Sequence, residues 1–384
     1  MNYQNRCARI MAVVILTLTF PALSQAADTA SNALVQAPVF TSGEGGYDTY
    51  RIPALAVSAK GTVLAFSEGR KNGASDTGNI DLLLRRSLDN GHTWQPIQVL
   101  VDDGDNTCGN PCPMVDRKTG TVVLLITKNG GHDREVQIMK GDAPPRTVWV
   151  LRSTDDGVSW SQPVDISAQV RKPEWRWYAT GPCHGIQLAD GRLVAPCDHS
   201  TGPKKEEMFS HVIYSDDGGT TWNIGGTAEN RTDESTVLEL SDGSLYLNAR
   251  NTRGTSRRAY AISNDRGLTW SPVADDETLL EPVCQGSVLR MSTAAAGGRD
   301  RVLFSNPASA KRENMTVRMS YDECKTWPVS KVLWPGPSAY SDLVVTADGK
   351  IGCLYERGDK NPYESIVFAL CSLEILTDGK DANK

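Results

Sequence analysis

The sequence has no run of lysine or arginine, and its 46 acidic side chains outnumber its 40 basic ones, giving a formal net charge of −6. Nucleic acids and anionic membrane surfaces bind concentrated basic patches, so neither is expected as a main partner. No segment after Ala26 is apolar enough for a membrane-spanning helix. Long helical periodicity is also missing, because the apolar residues fall in short runs separated by turn residues. These absences favour a globular protein built from short β-strands.

Metal-binding patterns are missing as well. The 384 residues include only five histidines. Cys108 and Cys112 are separated by three residues, but no second cysteine pair and no histidine lies nearby at the spacing of a zinc site. The sequence therefore predicts neither a metal site nor a cofactor.

The N-terminal segment Met1–Ala26 has the pattern of a secretory signal peptide. Two arginines precede an apolar run, Ile10–Phe20, and small residues that end at Ala26 follow it. The run is too short to span a bilayer as a stable helix. We therefore expect cleavage after Ala26 or Ala27 and a secreted or periplasmic mature protein, in a compartment that permits disulfides. Cys7 would leave with the signal peptide, and eight cysteines would remain.

One octapeptide pattern, Ser-x-Asp-x-Gly-x-Thr/Ser-Trp, recurs along the chain at fairly regular intervals. Its copies occupy Ser87–Trp94, Ser153–Trp160, Ser215–Trp222, Ser263–Trp270 and Ser320–Trp327. A motif repeated at this spacing is typical of a radial repeat architecture, in which all repeats share one closed ring. The sequence therefore predicts one all-β domain rather than the two domains that 384 residues would allow.

The octapeptide itself predicts a tight turn between two strands. Its Asp, Ser and Thr side chains can bond nearby backbone N–H groups, its Gly can adopt a positive φ, and its Trp is a large apolar anchor. We therefore expect a structural role for these motifs and no catalytic one. The last copy has Cys324 where Gly is expected, which predicts that its turn is strained or slightly different.

A second hairpin gives a register prediction. Ala189–Gly191 reads as a three-residue loop with Gly in the left-handed region, which places Leu188 opposite Arg192. Counting outward from this pair puts Cys183 opposite Cys197. The two cysteines are therefore predicted to be cross-strand neighbours, and a disulfide between them is permitted.

Four further motifs precede the first octapeptide or lie between later ones. Tyr50–Pro53 reads YRIP, Phe66–Arg70 reads FSEGR and is followed by Asp76, Asn248–Arg250 reads NAR, and Arg312 comes later. In this order the motifs make the chain similar to the exo-sialidases (neuraminidases) of bacteria and animals, over about residues 36–375. The resemblance implies a six-bladed β-propeller of four-stranded antiparallel blades, with the octapeptides as Asp-box hairpins on its rim. Residues 376–384 would form a C-terminal tail.

Three arginines are the candidate anion-binding residues. The resemblance implies that Arg51, Arg250 and Arg312 bind the carboxylate that sialic acid carries on its anomeric carbon. A guanidinium group offers paired, planar donors that match a carboxylate, and an acidic protein needs such a local positive site. The resemblance also implies that Glu356 holds Arg51 in place, and a buried carboxylate there would relieve repulsion among the arginines. The alternative for Glu356 is an exposed side chain at a strand end.

The resemblance implies a tyrosine nucleophile, Tyr340, with Glu234 as the base that activates it. Sialidases differ from most glycosidases in using tyrosine, and a neutral phenol avoids the repulsion that a carboxylate would meet beside the carboxylate of the substrate. A phenol with a pKa of about 10 needs a base at neutral pH. Asp233 is the alternative base. Without the family pattern, Tyr340 would be interpreted as an aromatic residue packed at a blade edge.

Asp76 is the candidate general acid and base, which would protonate the leaving glycosidic oxygen and then activate water. Asp81 is the alternative, although its place in a strand that leads to the first octapeptide favours a structural role. The resemblance places Arg70 and Asn110 near the 4-hydroxyl group of the sugar.

Aromatic residues precede a GPCHG segment. Trp175, Trp177 and Tyr178 are candidates to line the pocket for the N-acetyl or glycerol group of the sugar, and packing in the core is the equal alternative. His184 is expected to be structural rather than catalytic.

Three functions remain open from the sequence. The first is an exo-α-sialidase that hydrolyses terminal sialic acid from glycans with retention, through a tyrosyl intermediate. The second is a non-catalytic Asp-box propeller that binds glycans. The third keeps the fold and chemistry but transfers the sugar, or acts on a related nonulosonic acid. Sialylated glycans are the expected partners, and the protein is expected to be a monomer.

Overall fold

The computed structural model describes Met1 and residues 33–296 and 298–382. Apart from Met1, the predicted signal peptide therefore lies outside the described residues. The strands are β1 Val35–Thr41, β2 Thr49–Val57, β3 Val63–Arg70, β4 Ile80–Ser87, β5 Gln98–Val101, β6 Thr107–Val115, β7 Val122–Asn129, β8 Thr147–Ser153, β9 Val164–Asp165, β10 Tyr178–Thr180, β11 Ile186–Gln187, β12 Leu193–Ser200, β13 Met208–Ser215, β14 Asn223–Asn230, β15 Thr232–Glu239, β16 Leu245–Asn251, β17 Arg257–Ser263, β18 Ala274–Leu280, β19 Ser287–Ser292, β20 Arg301–Pro307, β21 Glu313–Ser320, β22 Val329–Val345, β23 Ile351–Arg357 and β24 Ser365–Cys371.

Helical structure is limited to short segments. The helices are α1 Glu135–Lys140, α2 Ser167–Val170 and α3 Leu373–Leu376, with 3₁₀ turns at Lys205–Glu207 and Ala294–Ala296. Within the described part of the chain, no helix has the length and apolar character needed to cross a membrane. The predicted all-β class is confirmed.

The strands form four sheets. The orders are β2-β3-β4-β6-β7-β8-β9 with β5 on β4, β10-β12-β13-β14 with β11 on β12, β15-β16-β17-β18, and β1-β24-β23-β22-β21-β20-β19. The pairings are antiparallel except for a single parallel contact between β4 and β6. The seventeen-residue strand β22 pairs with β21 along its first half and with β23 along its second half. The early strand β1 pairs with the late strand β24, which ties the two ends of the described chain into one sheet.

A buried aspartate links the strands that meet at the centre. Asp342, on β22, accepts hydrogen bonds from the backbone N–H of Leu55 on β2 at 2.8 Å and from the hydroxyl of Ser287 on β19 at 2.7 Å. It also accepts from the backbone N–H of His184 at 3.0 Å, and the ring Nδ1 of His184 lies 2.7 Å away. Segments from several sheets are therefore fixed to one carboxylate, which agrees with a structural role for His184.

The octapeptides form the predicted turns. In the first copy the N–H of Gly91 donates to Ser87 Oγ at 2.7 Å, and the N–H of Thr93 donates to Asp89 Oδ1 at 2.8 Å. The same pair of bonds recurs in each of the other four copies. Gly91 has a φ of 92°, a value that residues with a Cβ resist.

The fifth copy keeps this geometry although Cys324 replaces Gly. Cys324 has a φ of 66°, and its N–H donates to Ser320 Oγ at 3.0 Å, as in the other copies. The hydrogen bonds of this turn are therefore the same as those of the other copies. The predicted strain lies in the backbone of Cys324, because a residue with a Cβ adopts the left-handed conformation at a cost. The buried thiol packs in a cluster with Phe304 and Trp327, and this burial offsets part of the strain.

The tip of the second hairpin agrees with the sequence prediction. The N–H of Leu188 donates to the carbonyl of Arg192 at 2.8 Å, and Gly191 has a φ of 102°. The next two pairs, Ile186 with Val194 and Gln187 with Leu193, follow the predicted register.

The predicted pairing of Cys183 with Cys197 is wrong. Thr180, not Cys183, lies opposite Cys197, and both thiols are free. The cause is that the chain leaves the ladder after Thr180, because the N–H of Gly185 bonds the carbonyl of Pro113 on β6 at 3.0 Å. Counting pairs outward from a hairpin tip predicts the register only while the strand stays paired. Here the pairing with β12 is interrupted between Thr180 and Ile186, where the chain bonds β6 instead.

We expect Gly91→Ala to lower the free energy of unfolding more than Gly43→Ala. Both glycines have a positive φ, which costs a residue with a Cβ about 1–2 kcal/mol. A Cβ at Gly91 would also clash with the ring of Phe368, whereas nothing lies within 4 Å of a Cβ at Gly43. Denaturant unfolding of the two variants measures the difference. Equal losses would show that the turn does not pack tightly on Phe368.

Candidate active site

One cavity of about 310 Å³ collects the residues that the sequence singled out. All eight predicted catalytic and substrate-binding residues line it, namely Arg51, Arg70, Asp76, Asn110, Glu234, Arg250, Arg312 and Tyr340. They come from β2, β3, β6, β15, β16 and β22, from the loop after β3, and from the residue before β21. Residues distant in the sequence therefore meet in one place.

The three arginines surround Tyr340. The guanidinium carbons of Arg51 and Arg312 lie 5.1 and 5.5 Å from the centre of its ring, and Arg250 Nη1 donates to its Oη at 3.2 Å. Tyr363 also joins two of the arginines, because Arg51 stacks on its ring at 4.1 Å and Arg312 donates to its Oη at 2.8 Å. The predicted convergence of the arginines is present in the structure.

Glu356 lies behind the cavity and is fully buried. Its Oε1 accepts from Arg51 Nε at 2.7 Å and from the N–H of Ile52 at 2.9 Å. Its Oε2 accepts from the N–H of Tyr340 at 3.1 Å. The alternative of an exposed glutamate is therefore wrong, and one carboxylate fixes both Arg51 and the backbone of Tyr340.

Two further features accompany the contact between Glu356 and Arg51. The backbone of the next residue, Ile52, is strained, and the pKa of Arg51 is raised. Ile52 has a φ of 59°, an unfavourable value for a β-branched residue, at the bulge that interrupts the pairing of β2 with β3. Burial alone would lower the pKa of Arg51, but Glu356 raises it well above its ordinary value.

Tyr340 forms a short hydrogen bond with the predicted base. Its Oη donates to Glu234 Oε1 at 2.5 Å, and Glu234 Oε2 accepts from Arg250 Nη1 at 2.8 Å. Burial and the charge of Glu234 raise the pKa of Tyr340 well above its ordinary value, although Arg250 and Arg312 act in the opposite direction. Tyr340 is therefore a neutral phenol whose proton points at a carboxylate.

Asp233, the alternative base, points elsewhere. Its Oδ1 accepts from the N–H of Glu234 at 2.9 Å, and its Oδ2 lies 3.6 Å from Arg250 Nε. The carboxylate that contacts the phenol of Tyr340 belongs to Glu234.

Asp76 lies at the mouth of the cavity, with 63% of its side chain exposed. It forms ion pairs with Arg70 Nη1 at 2.8 Å and with Arg51 Nη1 at 3.7 Å. Burial would raise the pKa of Asp76, but the charges of Arg70 and Arg51 hold it below its usual value. Asp81, the alternative acid, is buried against Tyr47 and does not line the cavity.

Arg70 and Asn110 share a buried partner, Glu68. Its Oε2 accepts from Arg70 Nη2 at 2.6 Å, and its Oε1 accepts from the N–H of Asn110 at 2.9 Å. Gly109 allows this approach, because a Cβ there would clash with the carboxylate. Arg146 completes the group by donating from Nη1 to Asn110 Oδ1 at 2.8 Å.

Four charged lining residues were not assigned roles from the sequence. Glu68 lies inside the quoted FSEGR motif, whereas Arg146, Glu135 and Asp198 are single charged residues without a surrounding pattern. Burial, with the charges of Asp233 and Asp76, raises the pKa of Glu135 to about 7.

Of the three candidate aromatic residues, only Trp177 reaches the cavity. The guanidinium of Arg146 stacks on its ring at 4.3 Å. Trp175 instead stacks on His199 at 3.7 Å, and Tyr178 Oη lies 3.0 Å from His211 Nε2. Packing therefore explains Trp175 and Tyr178.

Within the described residues, no group of three or more histidine, cysteine or carboxylate side chains is arranged to hold a metal ion.

Comparison with known proteins agrees with this geometry. A family model described as a BNR repeat-like domain matches residues 61–353. The chain is 34% identical to a sialidase of Micromonospora viridifaciens, in an alignment that covers 93% of this chain and 59% of that protein. It is 33% identical to sialidase-3 of Bos taurus, with 88% of this chain and 93% of that protein covered. The chain thus spans less than two thirds of the bacterial relative and nearly the whole bovine one.

A solved structure gives the same result. The "Hadza microbial sialidase Hz136" superposes with a TM-score of 0.80 at 31% identity, over 89% of this chain and 69% of that chain. The fold is therefore of the β-propeller type found in sialidases. Because a family model matches most of its length and the two relatives are 34% and 33% identical to it, the chain belongs to the BNR-repeat sialidase family.

Proposed function

We propose that the protein is an exo-α-sialidase that hydrolyses terminal sialic acid from glycans with retention of configuration. The observation that carries the proposal is the 2.5 Å hydrogen bond between Tyr340 and Glu234 among three arginines. The arginines match a carboxylate, and the tyrosine and glutamate match a nucleophile and its base. A substrate with a carboxylate on its anomeric carbon would meet both.

In the first step, the substrate carboxylate binds Arg51, Arg250 and Arg312. Tyr340 Oη attacks the anomeric carbon while its proton passes to Glu234. The glycosidic C–O bond breaks, and the leaving oxygen takes a proton from Asp76.

In the second step, Asp76 removes a proton from water, and the water oxygen attacks the anomeric carbon. The bond to Tyr340 breaks, and Glu234 returns the proton to the phenol oxygen. Two inversions give net retention.

Arg250 is placed to help both steps. Its Nη1 lies 2.8 Å from Glu234 Oε2 and 3.2 Å from Tyr340 Oη, so its charge stays beside the pair as the proton moves. The positive charge offsets the negative charge that develops on the oxygen of the buried Tyr340.

Of the two alternatives, the geometry disfavours only the binding module. A glycan-binding propeller could use the arginines, but it would have no need of an acid at the cavity mouth and a tyrosine bonded to a glutamate. Transfer to another hydroxyl, or action on a related nonulosonic acid, would use the same residues, so the products must decide between these reactions.

We further propose that the four sheets are six blades of four strands. The eight-stranded sheet divides at its single parallel contact, between Ile80 and Thr107, into β2–β5 and β6–β9. The seven-stranded sheet divides within β22, whose halves belong to different blades, and β1 completes the last blade. β10 and β11 together supply the inner edge of the third blade.

The export proposal rests on the N-terminal pattern of residues 1–26. We propose that the mature chain starts after Ala26 or Ala27, is secreted or periplasmic, and acts on sialylated glycans as a monomer. The propeller would occupy residues 36–375 and the tail residues 376–384.

The function is tested by proton NMR during hydrolysis of a fluorogenic aryl α-sialoside. We expect free sialic acid to appear first as the α-anomer, because the double displacement through Tyr340 retains configuration. First formation of the β-anomer would exclude the covalent mechanism. An anhydro sugar or a transfer product would assign the third function, and no turnover by folded protein would favour the binding module.

The role of Asp76 predicts a pH dependence. With sialyllactose, kcat/KM should fall as pH rises through the pKa of Asp76, because the leaving oxygen needs its proton. Arg70 and Arg51 lower that pKa, so the fall should begin in the acidic range. Arg70→Gln removes one positive charge, which should raise the pKa of Asp76 and move the falling limb to higher pH.

The control is an activated aryl sialoside, whose leaving group needs no proton and which should lack this limb. Asp76→Ala should reduce kcat on sialyllactose by roughly 10²–10⁴-fold and affect the aryl substrate far less. A falling limb that stays at the same pH in Arg70→Gln would assign the acid to another residue.

A further inference from the structure

Asp198 is a buried carboxyl group that the catalytic steps do not use. It lies on β12, has no exposed surface, and lines the same cavity as Tyr340. Among the described residues, neither of its carboxyl oxygens has a hydrogen-bond partner. Buried polar side chains are almost always hydrogen-bonded, and an unpaired one destabilises the fold. A carboxyl group kept in this state beside the active site indicates that its partner is the ligand.

The surroundings of Asp198 give it the character of a neutral acid. Burial and the nearby charges of Asp233 and Glu234 raise its pKa well above the ordinary value. Arg146 also faces the cavity, but its Nε and Nη1 are bonded to Asn129 and Asn110. A protonated carboxyl group offers one O–H donor and one carbonyl acceptor.

The cavity is lined by carboxyl groups as well as by arginines. Asp198, Asp233 and Glu135 line it together with the three arginines and Tyr340. The charges that act most strongly on Asp198 are those of Asp233, Glu234, Arg146 and Glu135, rather than those of the three arginines around Tyr340. A sugar whose anomeric carboxylate binds the arginines has its remaining substituents free to point away from them. Hydroxyl groups both donate and accept, so they match a neutral carboxyl group, whereas a methyl group does not.

We propose that Asp198 is a specificity-determining residue that binds a hydroxyl group on the half of the sugar away from the anomeric carbon. The inference rests on the proposed sialidase function and adds the chemical group of the sugar that Asp198 selects. The hydroxyl can belong to the glycerol side chain or to the substituent on C5, and substrate analogues separate these two sources.

The test compares Asp198→Leu and Asp198→Asn with the parent on four aryl α-sialosides. These carry N-acetyl with the full side chain, N-acetyl with the side chain shortened beyond C7, N-glycolyl, and a hydroxyl on C5. Asp198→Leu should lose roughly 10- to 100-fold in kcat/KM on substrates with the recognised hydroxyl and little on the analogue without it. Asp198→Asn, which still donates and accepts, should stay near the parent.

The pattern of losses identifies the hydroxyl. A loss on the N-acetyl substrate that disappears with the shortened chain assigns Asp198 to the side chain. A loss confined to the N-glycolyl and C5-hydroxyl substrates assigns it to C5. Asp81→Asn is the matched control, since Asp81 is a buried aspartate outside the cavity and should leave the substrate ratios unchanged.

Thermal unfolding provides a second readout. Asp198→Leu should be at least as stable as the parent, because it removes an unpaired buried polar group. Unchanged kcat/KM, or an equal loss on all four substrates, would overturn the inference. If the parent hydrolyses none of the four aryl sialosides, the proposed function has failed. The role of Asp198 is then tested by the ratios of Kd, variant to parent, for the planar dehydro analogues of the four sugars.

Discussion

The buried ion pair between Arg51 and Glu356 is the interaction on which the site depends. The positive charges of Arg51, Arg250 and Arg312, which surround Tyr340, repel one another. Glu356 compensates part of this charge from within the protein, and its second oxygen holds the backbone of Tyr340. Removing either Arg51 or Glu356 would leave the other as an uncompensated buried charge. A change at this pair would therefore affect both the stability of the fold and the geometry of the site. Ile52 has a left-handed backbone conformation, and its N–H donates to Glu356. This hydrogen bond offsets part of the cost of the unfavourable backbone angle.

The cavity separates tasks by charge. Beside the arginines the proposed nucleophile is a neutral phenol, since a carboxylate in its place would compete with the substrate for the same cations. Glu234 accepts the phenol hydrogen bond on one oxygen and the bond from Arg250 on the other, so a positive charge lies beside the Tyr340–Glu234 pair. At the mouth, Asp76 is ion-paired with Arg70 at 2.8 Å and with Arg51 at 3.7 Å. A substrate carboxylate bound to Arg51 would weaken the attraction between Arg51 and Asp76, and this would favour the protonated form of the proposed acid.

Much of the fold and the centre of the site could be predicted from the sequence, for different reasons. The octapeptides encode their own turns, because their side chains bond backbone atoms within the same eight residues, and even Cys324 follows that geometry. The arginines, Tyr340 and Glu234 carry no local signal that would bring them together, and the family resemblance supplied them. The Cys183–Cys197 pairing failed because Gly185 bonds a different strand. Arg146 and Asp198 were missed because a single charged residue does not reveal its burial in the sequence.

If Tyr340 is the nucleophile, it forms a covalent bond to the sugar, and this bond can be trapped. A sialosyl fluoride with fluorine on C3 forms the intermediate through a good leaving group, while the second fluorine slows its hydrolysis. The account predicts an adduct of one sugar per chain that peptide mapping places on Tyr340, that is absent in Tyr340→Phe, and that still forms in Tyr363→Phe. An adduct on Glu234 or Asp233, or labelling that persists in Tyr340→Phe, would contradict it.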